Sequence, residues 1–253
     1  MAQKAFTLAE DAAHITKPSV LYKAAFTLAE VLITLGIIGV VAAITIPGLM
    51  TTYKANQLRA QFLKTYSVVQ QVFKQMEADD VAIDPRDYSD DKNGRFYKTF
   101  IKYLTNATNC GNITKRSQNP ACYDYSTNTN DRPYKTLDGK TSVAPSFFDD
   151  GQILLADGTL ILFENPSNAI GSPIYISIDL NGYKKLPNRW GYDLFTFRFL
   201  DGELKTVGDK NTGYTVNSSC NIKTTNARNG IACAHKAKTE SDYFKWALKN
   251  IKG

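Results

Sequence analysis

Asp179, Asn181 and Asp193 are the residues whose types and spacing could gather a hard cation. They stand in the stretch DLNGYKKLPNRWGYD (179–193), and Ca²⁺ takes roughly six to eight oxygen ligands. The spacing departs from the EF-hand pattern, because no Glu closes the loop. The competing arrangement is a β-turn in which Asx side chains bond their own backbone. Only two histidines occur, His14 and His235, which argues against a His-rich metal site and a conventional Ser/Cys–His triad. No P-loop, dinucleotide fingerprint or nucleophile–base pair appears, so the chain reads as a non-enzyme with no cofactor besides the calcium candidate.

A second kind of chemistry is electrostatic. The 253 residues carry a net charge of +6, too mild on average to mark a nucleic-acid binder. The surplus is uneven, since residues 220–253 hold seven Lys/Arg against Glu240 and Asp242. In 241–251, Phe244, Ala247, Leu248 and Ile251 share one helical face, with Lys245, Lys249 and Lys252 on the other. Basic residues complement a helix C-terminus, so a solvated face is one reading. The other is an anionic partner, DNA or a lipid surface, with Tyr243 and Trp246 available to stack.

The elements that position these residues begin with a charge-free run. Between Glu30 and Lys54 the chain reads VLITLGIIGVVAAITIPGLMTTY. As a helix it extends about 34 Å, enough to cross a hydrocarbon core of roughly 30 Å. A buried core helix is the alternative. Ahead of it stand a hydrophilic leader of 25 residues and the sequence Ala25-Phe26-Thr27-Leu28-Ala29-Glu30. That order is the reverse of a secretory signal, whose apolar core precedes the cut. KAAFTLAEVLITLGIIGVVAAITIP (23–47) resembles the cleavage and methylation signal of type IV prepilins and of type II secretion pseudopilins.

The resemblance implies that a prepilin peptidase cuts between Ala25 and Phe26 and methylates the new amine. Ala25 stands where that family usually has Gly. It implies a single-pass protein of the bacterial inner membrane, with the domain after the span outside the cytoplasm or in an extracellular or periplasmic filament. Its partners would be other pilin or pseudopilin subunits, the peptidase and an inner-membrane assembly platform. Charge alone leaves orientation open, because Lys17 and Lys23 precede the span and Lys54, Arg59 and Lys64 follow it. The hexapeptide AFTLAE recurs at 5–10, but Asp11 and His14 follow it there, so no second processing site is expected.

Glu30 has a physical problem to solve. A carboxylate near the bilayer centre costs roughly 2.5–3.5 kcal/mol, less near the end of a span, and calls for a cation. The cut would supply one, the amine of Phe26, which lies about 6 Å away in axial rise within one chain. The resemblance implies that the pairing runs between chains and sets the stagger of a filament. A Glu snorkelling to the interface is the competing reading.

Beyond the span, Leu58, Phe62, Tyr66, Val69, Phe73 and Met76 form one apolar stripe at helical spacing. A packed sheet is the expected partner and a coiled-coil seam the alternative. Pro47-Gly48 predicts a kink or melted turn. A short helix is expected in 95–106, and 109–146 reads as a long loop. Alternation predicts strands at 153–156, 159–163, 174–180, 193–200 and 203–207, with hairpin turns at Asp157-Gly158 and Asp201-Gly202. The expectation is an α+β fold, pilin-like, in which a long N-terminal helix packs on a four- or five-stranded antiparallel sheet. Its regions are the leader 1–25, the transmembrane helix half 26–53, the amphipathic half 54–78 and an extracytoplasmic domain 79–253.

Cys110, Cys122, Cys220 and Cys233 complete the inventory. In an exported domain an even number favours disulfides, and four cysteines allow three connectivities. Two local loops, Cys110–Cys122 and Cys220–Cys233, are favoured, each contributing about 3 kcal/mol in the chain-entropy model. Zinc would want closer, CxxC-like spacing. In similar pilins a C-terminal disulfide loop is a recognition feature, and Cys220–Cys233 would be its counterpart. The 179–193 stretch also resembles a recurrent segment of pilin-like proteins, and some pseudopilins bind calcium in a loop. The functional expectation is a structural subunit, of the minor kind, in a type IV pilus or a type II secretion pseudopilus. The alternative is a single-pass, membrane-anchored extracytoplasmic binding protein that does not polymerise.

Overall fold

The computed structural model describes residues 26–88, 96–125, 132–165 and 174–251. The leader with Ala25, and Lys252 of the basic end, lie outside the described residues. The chain divides into two units, 1–46 and 47–253. A 51-residue helix, α1 (Leu28–Ala78), contributes to both.

In the first unit α1 buries nothing. Leu32, Ile33, Leu35, Ile37, Ile38 and Val40 are all exposed, and the most apolar 18-residue window of the helix has a mean hydropathy of 2.4. It is the one helix among the described residues long and apolar enough to cross a membrane. Its few hydroxyls are satisfied internally, Thr34 donating to the Val31 carbonyl and Thr45 to that of Val41. That back-bonding suits an apolar solvent, which offers no other acceptor.

A kink or a melted turn is expected at Pro47-Gly48, and the turn does not melt. Helical geometry continues through Pro47, whose ring removes one amide donor from the ladder. One turn later the Thr51 and Thr52 hydroxyls donate to the Pro47 and Gly48 carbonyls.

In the second unit the apolar stripe is the core-facing side of α1, with Leu58, Phe62, Tyr66, Val69, Phe73 and Met76 all buried. It lies on a six-stranded antiparallel sheet in simple meander order: β1 (Thr108–Gly111), β2 (Gly151–Leu154), β3 (Leu160–Glu164), β4 (Tyr175–Asp179), β5 (Leu194–Leu200) and β6 (Glu203–Thr206). Side chains two apart in a strand share a face, so Phe195, Phe197 and Phe199 of β5 all point at the helix. Phe62 meets Phe195 and Phe197 edge-on at 4.9 and 5.8 Å, and Phe73 stacks on Phe199 at 4.2 Å. The opposite face carries Ser177 and Thr196, paired across β4 and β5, and Trp190 caps them by donating from Nε1 to Thr196 at 3.0 Å. Helix α2 (Phe96–Phe100) fills the end of the helix side through Phe96 and Phe100. After β6 come α3 (Val216–Ser219), α4 (Cys233–Thr239) and α5 (Tyr243–Asn250). The α+β expectation holds, with a sheet larger than the four or five strands foreseen.

The extra strand is β1, which runs from Thr108 into the stretch read as loop, 109–146. Its residues Thr108, Asn109, Cys110 and Gly111 do not alternate in polarity, and only pairing to β2 makes them a strand. The hairpin signals divide. Asp201 and Gly202, at φ 54° and 74°, form the expected two-residue turn between paired Leu200 and Glu203. Around Asp157-Gly158 the loop has three residues instead: Leu155 and Thr159 are the closing pair, and Gly158 sits at φ 88° after the turn. The Asp157 carboxylate accepts the Thr159 N–H within this loop, and the Lys64 ammonium of α1 lies 2.8 Å from its other oxygen.

Candidate functional site

At the start of α1 the residues of the cleavage signal build a cap. Thr27 donates from its backbone N–H and its hydroxyl to Glu30 Oε2, at 2.9 and 2.8 Å, and its hydroxyl accepts from the Glu30 N–H at 3.2 Å. This is a reciprocal capping box, Thr at the N-cap and Glu three residues on. The signal is visible in the sequence as T-x-x-E ahead of an apolar run, and it gives Glu30 a local role besides that of a charge in search of a cation. Phe26, the expected first mature residue, is 85% exposed. The cap involves Thr27 and Glu30 only, so removal of residues 1–25 would leave it whole.

The calcium candidates come together, but around peptide protons. Asp179 ends β4 and Asp193 precedes β5, and both are fully buried beneath the loop that joins them. Asp179 Oδ1 accepts from the N–H groups of Asn181 and Gly182 at 3.2 and 3.0 Å, and Oδ2 from the Tyr134 hydroxyl at 2.9 Å. Asp193 takes the Arg189 N–H on Oδ1 at 2.7 Å and the Asn188 N–H on Oδ2 at 3.0 Å. Asn181 donates to the Lys185 carbonyl, and Asn188 to that of Tyr183. All four carboxylate oxygens thus face donors of the protein itself. The side-chain oxygens of Asn181 and Asn188 are buried there without a hydrogen-bond partner, so two amide oxygens of the same loop stand open beside the two buried carboxylates. What the arrangement can do is pin a 14-residue connection, 180–193, to the end of the sheet.

Two carboxylates buried together shift their titration. Burial pushes Asp179 up to about 8, reinforced by the charge of Asp193, and burial raises Asp193 to about 6 against its backbone hydrogen bonds. Burial and the Asp179 charge also hold the Tyr134 hydroxyl well above its usual range. A raised carboxyl means that the folded state keeps a proton the unfolded chain has lost. The associated stability is complete below the unfolded value near 4 and fades as pH climbs through about 6 and about 8. Urea unfolding of the full chain should therefore show stability falling between pH 5 and pH 9, by at most about 5 kcal/mol at about 1.4 kcal/mol per unit. Asp179→Asn, which cannot ionise, should flatten that slope and be the more stable form at pH 9. An unchanged slope in the variant would place the effect elsewhere.

A further carboxylate set escaped the sequence reading. Asp149 and Asp150 before β2 and Glu164 at the end of β3 bring one oxygen each within 4.8 Å of one another, and Asp150 accepts from the Asn165 N–H at 2.7 Å. Only strand pairing makes them neighbours.

The cysteines pair locally. Cys110–Cys122 and Cys220–Cys233 are disulfides, with Cα–Cα distances of 5.6 and 4.9 Å. The second fastens α4 to the segment after α3. The lysines of the basic end separate into two groups. Lys238 lies 4.2 Å over the Tyr66 ring and donates to its hydroxyl, and Lys236 sits over Trp246 at 5.4 Å and 3.5 Å from Glu240. Lys245 and Lys249 are exposed on α5, with no carboxylate within 4.0 Å among the described residues. Tyr243 is packed, its hydroxyl donating to the Gly191 carbonyl at 2.6 Å, and offers no stacking face.

Comparison of the chain with protein-family models, curated proteins and solved structures finds no match.

Proposed function

We propose that this chain is a prepilin-like structural subunit, cut between Ala25 and Phe26 and assembled through α1 into a type IV pilus or a type II secretion pseudopilus. The observation that carries the reading is one of register. A small residue, Phe26, the Thr27–Glu30 cap and a charge-free helix follow each other without a gap, and the same helix continues as the core of an α+β domain. An apolar helix half that buries none of its surface needs another solvent or other helices, and a bilayer followed by a filament would supply both in turn. Two disulfides suit a domain on the oxidising side of the membrane. In this reading the protein is a substrate of the peptidase and catalyses nothing.

The test is intact mass and N-terminal sequencing of the membrane-extracted protein, from cells with an active and with an inactive prepilin peptidase. The expected result is an N-methylated Phe26 terminus that disappears with the inactive enzyme. Retention of Met1, or a cut elsewhere, overturns the proposal.

One observation favours a second reading, an anchored binding protein that never polymerises. Glu30 is satisfied inside its own chain by Thr27, so it does not require a cation from a neighbour. Sheared extracellular fractions separate the two: a processed subunit that forms filaments appears there, and an anchor stays with the membrane.

A further inference from the structure

Where the charge-free run ends, the second unit forms a groove of ≈ 450 Å³. Met50 and Tyr53, among the last residues of that run, make one wall with Lys54 and Gln57 from the next turn of α1. Tyr192 and Leu248 make the other. Leu248 comes from α5, whose own apolar face, Tyr243, Phe244 and Ala247, is spent on the core. The groove therefore presents a thioether, a leucine and two phenols to whatever enters it, with Tyr53 65% exposed.

Its cations lack a carboxylate partner among the described residues. Lys54 lines the groove and lies 5.8 Å from the centre of the Tyr192 ring, and Lys245 and Lys249 project from the helix that supplies Leu248. None of the three has a carboxylate within 4.0 Å among the described residues, whereas Lys64, Lys74, Lys205 and Lys236 all do. Apolar walls, tyrosines and lysines directly after an apolar run are the chemistry of a membrane–water boundary. Tyrosine rings settle at headgroup depth, and lysines reach from there to phosphate. A second copy of α1 would fill the walls but bring no anion. A free phosphate would answer the lysines but leave the walls in water.

We propose that this groove seats an anionic phospholipid, its phosphate held by Lys54, with Lys245 and Lys249 of α5 adding to the positive field, and its upper acyl chain against Met50 and Leu248. The inference rests on the membrane-spanning reading of 31–53 and is independent of cleavage at Ala25. It gives the basic C-terminal helix a ligand, and it tethers the domain to the bilayer surface.

The full chain in mild detergent, incubated with phosphatidylglycerol or with phosphatidylcholine of the same acyl chains, provides the test by native mass spectrometry. Phosphatidylglycerol adducts should exceed phosphatidylcholine adducts by about tenfold. The K54E/K249E variant should fall to the phosphatidylcholine level. The K98E/K115E variant, with the same change in net charge at exposed sites elsewhere, should retain the preference. Equal adducts for the two lipids, or an unaffected K54E/K249E variant, overturns the site. So does displacement by an equal concentration of glycerol phosphate, which would mark a soluble-phosphate site. Fractionation of the wild-type chain in cells reads the span separately. A chain found in the membrane but lacking the lipid preference overturns the groove alone, and a chain absent from the membrane overturns both.

Discussion

Phe62→Ala should destabilise the folded domain by about 3–5 kcal/mol, the range for removing a fully buried aromatic side chain. Phe62 is the residue through which α1 grips both the sheet and the C-terminal helices. Its ring is 0% exposed and meets Phe195 at 4.9 Å, Phe197 at 5.8 Å and Phe244 at 5.9 Å. Each such aromatic pair adds about 0.5–1.5 kcal/mol beyond its buried area, so the loss belongs at the upper end of the range. The surrounding residues belong to a strand, a helix and α1 itself, and cannot close on the cavity together. The measurement is a thermal melt of the full chain in detergent, followed by near-ultraviolet circular dichroism. Leu32→Ala, on the exposed half of the same helix, is the internal control and should leave the domain's melt unchanged. A Phe62→Ala loss below about 1 kcal/mol would mean that α1 is not held by this contact.

Gly230→Ala should be comparably damaging, for a different reason. Gly230 has φ 107°, where an L residue is strained, and a Cβ there would fall 2.6 Å from Trp190 Cβ and 2.7 Å from the Trp190 carbonyl oxygen. The obstruction is partly backbone, so no rotamer change relieves it. Trp190 cannot retreat either, being 0% exposed and tied through Nε1 to Thr196. Gly230 in turn is held by its N–H to the Ser219 carbonyl at 2.7 Å, next to the Cys220–Cys233 disulfide. Overpacking costs about 1–3 kcal/mol and left-handed strain about 1–2 kcal/mol, so a loss of roughly 3–4 kcal/mol is expected. Gly158→Ala isolates the second contribution, since Gly158 has φ 88° but nothing within 4 Å of its would-be Cβ. It should cost only about 1–2 kcal/mol in the same melt. Equal losses in the two variants would show that strain, not the close approach to Trp190, limits the site.

These two positions were legible to different degrees. Phe62 belongs to a stripe at spacings of three and four, and a helix places such residues on one side whatever lies opposite. Gly230 is one of 16 glycines, and nothing in its neighbours along the chain announces a tryptophan 40 positions earlier. The two Asp-Gly signals make the same point. Asp201-Gly202 turned as expected because only local backbone was involved. Asp157-Gly158 closes a loop one residue longer, with Gly158 in the left-handed position, a choice those two residues do not specify by themselves. The oxygen donors at 179–193 were correctly seen to converge, but what they converge on was decided by a distant tyrosine and by the loop's own amides. The capping box at Thr27 and Glu30 was fully local and could have been read.

Local periodicity by itself therefore determined the long helix with its two contrasting halves, five of the six strands and the charge-free run, because each depends on neighbours a few residues away. Tertiary structure alone decided that 108–111 joins the sheet and that Asp149, Asp150 and Glu164 meet. It also decided that Lys238 is consumed on Tyr66, 172 residues distant, while Lys245 and Lys249 have no carboxylate within 4.0 Å among the described residues. Pairing, burial and the answering of charge are set by groups that only folding brings within a few ångströms, and no spacing along the chain encodes them.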